Sequence, residues 1–207
     1  MPDHPSLKLA ADKRRKLFQI SSGEFAAKGF KQASLNRIIS EMKMSKSSFY
    51  HYFQNKEDLF RVTLENVLGP VLQVHHSIDL EALTTDDFWP TLIGKGSEAM
   101  ALVTTLPETV LAGKMFYRCY DDPDGHAVAQ DMMDEFTDWT THLIQRGQAL
   151  KLVRTDMPET LLISILMSMG ISMDRWMMEN WDQLDDDERM QLGQAGFGLF
   201  LRLVKPD

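Results

Sequence analysis

Apolar residues in this chain recur at three- and four-residue intervals, and the apolar/polar alternation of a half-buried strand is nearly absent. That periodicity permits helices and little else. Proline and glycine fall where helices would begin or end, so the expected fold class is all-α. With 207 residues, 43% of them hydrophobic and 25% charged, the chain has the composition of an ordinary globular protein and can bury a sizeable core. Cys119 is the single cysteine, which excludes an internal disulfide framework.

Local signals place the elements. Leu17, Ser21 and Phe25 share one face of a first helix over about Ala10 to Lys28, with Gly29 as its stop and Phe30 as an apolar anchor. Ser34 offers an N-cap for a second helix burying Leu35, Ile38, Ile39 and Met42 and ending near Lys43. Ser45 offers the next cap, and Met44, Phe49 and Phe53 dock a short third helix; Asn55 opens a fourth, with Glu57 and Asp58 matching the helix dipole. Further helices are expected over Trp89 to Thr105, Pro107 to Tyr120 and Ala127 to Leu150. Asp156-Met157-Pro158-Glu159 reads as a capped start for a helix reaching Asn180, and Asp185 to Glu188 starts the last one, to Val204.

Charge is unevenly spread. The net charge is -8, yet residues 1–60 hold eleven Lys/Arg against six Asp/Glu, a net of +5, which leaves -13 for the remainder. A basic module on an acidic body is the footprint expected when one end meets a polyanion. The N-terminus reaches Lys13-Arg14-Arg15-Lys16 without an apolar signal core, and Leu161 to Met173 is interrupted by serines and a glycine. That stretch is short for a bilayer core of about 30 Å, so a cytoplasmic protein without a membrane partner is expected.

Residues 34–53 have the layout of a helix-turn-helix. The second helix carries Lys46, Ser47, Ser48, Tyr50, His51 and Tyr52 in place of the leucines of a packing helix. Small residues let a backbone enter the major groove, lysine can meet guanine acceptors, and tyrosine or histidine can reach phosphates. The run Ser45 to Phe53, followed by Asn55-Lys56-Glu57-Asp58-Leu59-Phe60, resembles the recognition helix and fourth-helix start of TetR-type transcriptional regulators. Phe25, Gly29, Phe30 and Ile38 sit where that family places its first-helix phenylalanine, Gly-aromatic stop and second-helix isoleucine.

The resemblance covers residues 11–71 and implies a DNA-binding domain there, with an effector-binding and dimerisation domain over 72–207. It implies base contacts from Lys46, Ser47 and Ser48 and phosphate or groove contacts from Tyr50, His51 and Tyr52, beside the Ser45 cap. Ser34, Arg37 and Lys56 fall at its further backbone contacts. The family's turn usually carries glycine. Lys43 stands there instead, and must either turn left-handed at roughly 1 kcal/mol or reshape the turn.

For the acidic body the resemblance implies a homodimer and a small-molecule effector. Leu162, Ile165, Met169, Met173 and Trp176 form a stripe too wide for one neighbour, and Gly193, Gly196 and Phe200 mark close approach on the last helix. These eight residues are the expected dimer interface. Phe88, Trp89, Met100, Met115, Phe116, Tyr120, Met133, Phe136 and Trp139 would suit an adaptable apolar effector pocket, with Arg118, Arg146 or His142 orienting a polar group.

Enzyme chemistry has weaker support. His75-His76 with Asp79 could place two metal ligands one helical turn apart but no third is evident, Asp121 to Gly125 lacks the alternating ligands of a calcium loop, and Cys119 carries no nucleophile signature. No cofactor and no catalytic residue is expected. The expected function is a repressor that binds a near-palindromic double-stranded operator as a dimer and is released by a small, largely apolar effector. A small all-helical carrier or enzyme that does not bind DNA is the alternative.

Overall fold

In the computed structural model, residues 4–123 and 125–206 are described, and among them the regular structure is helical. A single turn of 3₁₀ helix, Pro5–Lys8, precedes nine α-helices: α1 Ala11–Gln32, α2 Leu35–Glu41, α3 Lys46–Tyr52, α4 Lys56–His76, α5 Phe88–Thr105, α6 Pro107–Tyr120, α7 His126–Ala149, α8 Glu159–Asn180 and α9 Asp186–Val204. The local caps form as the sequence predicts. Ser34 Oγ accepts from the Arg37 N–H at 3.3 Å, Ser45 Oγ from the Ser48 N–H at 3.1 Å and Asn55 Oδ1 from the Asp58 N–H at 2.8 Å. Asp185 and Glu188 form a reciprocal capping box.

Gly29 leaves helical geometry at φ 71°, so the regular part of α1 stops where expected, and Lys43 takes the left-handed conformation at φ 52°. The start of α8 differs from expectation. Its N-cap is Pro158, with no side-chain cap, because Asp156 is taken by the Arg154 guanidinium, whose Nε–H donates at 2.6 Å. That fork outbids a lone backbone amide and pulls the Asp156 carboxyl below its usual range.

The helices divide into two units, one comprising the chain up to Pro70 with Leu106–Asp131, the other Val71–Thr105 with Met132–Asp207. The first therefore holds more than the expected 11–71, because α6 packs along α1. Its core is aromatic: Phe25, Phe49, Phe53 and Phe60 are fully buried. Phe25 meets Phe60 edge-on at 5.2 Å between centroids and stacks with Phe30 at 6.1 Å. The second unit packs Phe88, Leu92, Leu143, Ile144, Leu162, Leu166 and Val204 together. Gly147 lets α7 approach closely there, since a Cβ at that position would lie 2.9 Å from Phe88 Cζ.

Contrary to the reading of Leu161 to Met173 as too short, residues 159–183 are long and apolar enough to cross a membrane, and only 22% of the most apolar window is buried within the chain. A helix that keeps an apolar face for another protein surface passes the same test.

Candidate nucleic-acid interface

Phe49 anchors α3. It is fully buried against Phe53 at 5.2 Å between centroids, which fixes the rotation of a seven-residue helix and turns its remaining side chains outward. Ser45, Lys46, Ser47, Ser48, Tyr50 and His51 are all exposed, and Tyr52 is half-buried. Tyr50 is 53% exposed although aromatic, an expensive display for a residue that would otherwise be buried. The surface combines a lysine ammonium, three serine hydroxyls, a phenol and an imidazole. Such a surface can donate to base acceptors and phosphates at once.

The turn before it is set by Lys43, whose amide donates to the Ser40 carbonyl at 3.0 Å while the Met44 amide reaches back to Ile39 at 3.1 Å. Left-handed geometry at a lysine keeps its side chain exposed beside α3.

Three residues expected at phosphates are occupied internally. Lys56 Nζ donates to the carbonyls of Lys31 at 2.8 Å and Ala33 at 3.2 Å and sits over the Phe30 ring at 5.1 Å, so its ammonium braces the entry to α2. Arg37 donates to Glu41 at 2.8 Å and lies 3.2 Å from Glu24; these carboxylates hold its charge firmly and offset it. Ser34 spends its hydroxyl on the cap and its amide on Glu24 at 3.0 Å. The family resemblance pointed to these positions but could not show these partners.

The first unit also contains a part that sequence reasoning missed. The 3₁₀ turn packs on α3, the His4 ring lies 5.5 Å from Phe53, and His4 Nε2 is 3.2 Å from Asp58 Oδ1. Ser6 is buried there, in a segment too short to show periodicity.

The expected effector residues do not gather within one unit. Met115, Phe116 and Tyr120 lie in the first, and Phe88, Trp89, Met100, Met133, Phe136 and Trp139 in the second. Phe88 and Met115 are fully buried core residues. A groove of about 400 Å³ lies between α1 and α2, lined by Gln19, Glu24, Arg37, Ile38 and Glu41 among others, and none of the nine lines it. Phe136 and Trp139 stack at 6.0 Å and His75 meets Trp139 edge-on at 5.3 Å. Burial holds the His75 imidazole below its usual pKa, favouring the neutral ring. Arg146 donates to the Leu83 carbonyl, while Arg118 and His142 are exposed.

The interface list also needs correction. Leu162 is fully buried in the chain's own core. A Cβ at Gly196 would strike Met173 of α8, one at Gly193 would lie 2.9 Å from Met100 of α5, and Phe200 packs on Phe197 at 5.8 Å. These glycines serve close approach within the chain. Ile165 and Trp176 do face outward, at 37% and 48% exposure, as do Leu199 and Leu161.

Among the described residues no group of three or more His, Cys, Asp or Glu could hold a metal ion; Asp124 of the Asp121–Gly125 loop lies outside those residues. Burial pushes the Cys119 thiol up to about 12. Ellman's reagent at pH 8 should therefore modify the native chain at less than about a tenth of its rate on the denatured chain; equal rates would contradict the burial.

Residues 22–63 match the family model described as bacterial regulatory proteins, tetR family. Over 77 residues the chain is 31% identical to the uncharacterized HTH-type transcriptional regulator YdgC of Bacillus subtilis, a match spanning 37% of this chain and 40% of that relative. Three solved structures have similar folds: SmeT in its triclosan complex (TM-score 0.74, 14% identity, 95% of this chain and 93% of that one), the regulatory protein TetR of Rhodobacter sphaeroides (0.66, 16%, 93% and 98%) and the ketosteroid transcriptional regulator KstR2 of Mycobacterium tuberculosis (0.65, 16%, 96% and 98%). YdgC and KstR2 are named as transcriptional regulators and TetR as a regulatory protein. The segment that matches the tetR family model thus lies on a buried-phenylalanine frame that turns Ser45 to Ser48, Tyr50 and His51 outward.

Proposed function

We propose that the protein is a transcriptional repressor that grips a near-palindromic operator as a homodimer and releases it when a small, largely apolar effector binds. The observation that carries the DNA-binding part is the outward display of Lys46, Ser47, Ser48, Tyr50 and His51 on a helix rigidly seated by Phe49. The acidic remainder of the chain gives a carrier no evident use for such a surface. The double variant Lys46→Ala with Tyr50→Ala should keep its fold, since both side chains are exposed, and lose about 10- to 100-fold in preference for a duplex selected from a random pool over a scrambled duplex. An unchanged preference in fluorescence anisotropy would favour the carrier.

Dimerisation is supported by the stripe Leu161, Ile165, Met169, Ser172 and Trp176, which recurs at three and four residues along α8 and leaves large apolar groups in water. A second copy would bury it and set two recognition helices about 34–36 Å apart, or a multiple of that spacing. Effector binding is supported by the His75, Phe136 and Trp139 rings, where the Trp139 indole N–H is buried without an acceptor. SmeT was solved with triclosan, and an effector with a hydrogen-bond acceptor and an apolar body would complement these rings. It would act only through different affinities for the bound and released forms.

A further inference from the structure

Pro5–Lys8 is a single turn of 3₁₀ helix, with too few hydrogen bonds of its own to stand alone. It is held from three sides. Arg14 of α1 donates through Nη1–H to the Leu7 carbonyl at 3.1 Å, the turn packs on α3, and His4 reaches the first turn of α4 at Asp58. Ser6 and Leu9 are buried in this arrangement.

His4 is where these contacts meet. Its Nδ1 accepts from the Ser6 N–H at 3.2 Å and so caps the turn. With Nδ1 accepting, the ring carries its proton on Nε2, which donates to Asp58 Oδ1 at 3.2 Å. The other carboxylate oxygen, Asp58 Oδ2, accepts from the Gln54 N–H at 2.8 Å. Gln54 directly follows Phe53, the C-cap of α3, and the His4 ring lies 5.5 Å from the Phe53 ring. The His4 and Asp58 side chains are only 8% and 17% exposed, so water competes weakly for the link.

α3 has need of such support. Its seven residues make about two turns, well short of the length at which a helix holds itself in water. Ser45 caps one end and Phe49 seats the middle, while the His4–Asp58 link fixes the chain at the other end. A binding surface keeps its aim only when the residues behind it are held as well.

We propose that His4 is a positioning residue for recognition. Through Asp58 and Phe53 it holds the C-terminal end of α3, and with it the angle at which Lys46, Ser47, Ser48 and Tyr50 face a duplex. The inference rests on the DNA-binding reading.

The test compares the full chain with His4→Asn and His4→Gln. Asparagine keeps an acceptor for the Ser6 N–H but is too short to reach Asp58, whereas the carboxamide N–H of glutamine can reach it. Amide hydrogen exchange without DNA should be about tenfold faster over residues 46–54 in His4→Asn and unchanged in α1. Fluorescence anisotropy should show the preference for a duplex selected by the parent over a scrambled duplex falling about 5- to 10-fold. Affinity for the scrambled duplex and its salt slope should stay parental, because no phosphate contact is lost. His4→Gln should recover most of both effects.

Parental exchange in α3 of His4→Asn would overturn the proposal, and so would acceleration that spreads over α1, which marks a merely structural role. An intact preference in His4→Asn, a loss shared equally by both duplexes, or a His4→Gln variant no better than His4→Asn would also overturn it. Each of these outcomes leaves the DNA-binding reading standing. A parent chain that prefers no duplex would overturn that reading and this proposal with it.

Discussion

Phe25→Ala is expected to cost about 3–5 kcal/mol of folding stability, the usual range for emptying a buried phenylalanine site. The ring is fully enclosed and holds Phe30 and Phe60 in place, so the cavity would form where α1 meets α4. Phe30 in turn carries the Lys56 ammonium, and the disturbance should reach the entry to α2. Urea denaturation followed by circular dichroism would measure the loss, and Phe25→Leu should recover most of it because volume is largely retained. A loss below about 1 kcal/mol in the alanine variant would mean that the aromatic cluster does not support the domain.

Ile165→Glu combined with Trp176→Glu should weaken self-association by about 100-fold or more, because an unpaired carboxylate buried at an interface costs several kcal/mol. Both side chains are partly open to water in the single chain, at 37% and 48% exposure, so the variant should still fold. Tryptophans at interface centres carry much of the binding energy, and Trp176 is the largest exposed group of the α8 stripe. Sedimentation equilibrium at micromolar concentration would show parent dimers and variant monomers. Operator affinity should fall with the dimer, while Leu162→Ala, in the core, should lower stability before association. A monomeric parent, or a variant that still dimerises, would remove the α8 interface from the proposal.

Features decided within a few residues were legible in the sequence. Ser34, Ser45, Asn55 and Asp185 cap their helices because each competes only with its own neighbours. Phe49 and Phe53 could be read as a short docking face by spacing alone. Asp156 was misread because Arg154, two residues away and outside the capping pattern, makes the stronger bond. Gly193 and Gly196 signalled close approach, yet their partners, Met100 and Met173, lie on other helices that the sequence could not pair. The exposed half of α8 was equally hidden, since periodicity reports an apolar stripe without reporting what covers it. The ordered turn at Pro5–Lys8 was hidden as well, since His4 meets Phe53 and Asp58 some fifty positions away.

The Lys56 brace has a mechanical consequence. A lysine reaching water would let the first turn of α4 slide several tenths of an ångström without any other part noticing, because its flexible stem would absorb the movement. Here the stem runs over Phe30 to the carbonyls of Lys31, in the last turn of α1, and Ala33, its C-cap. The slack is gone, and whatever displaces that turn must tow the entrance of the helix-turn-helix along with it.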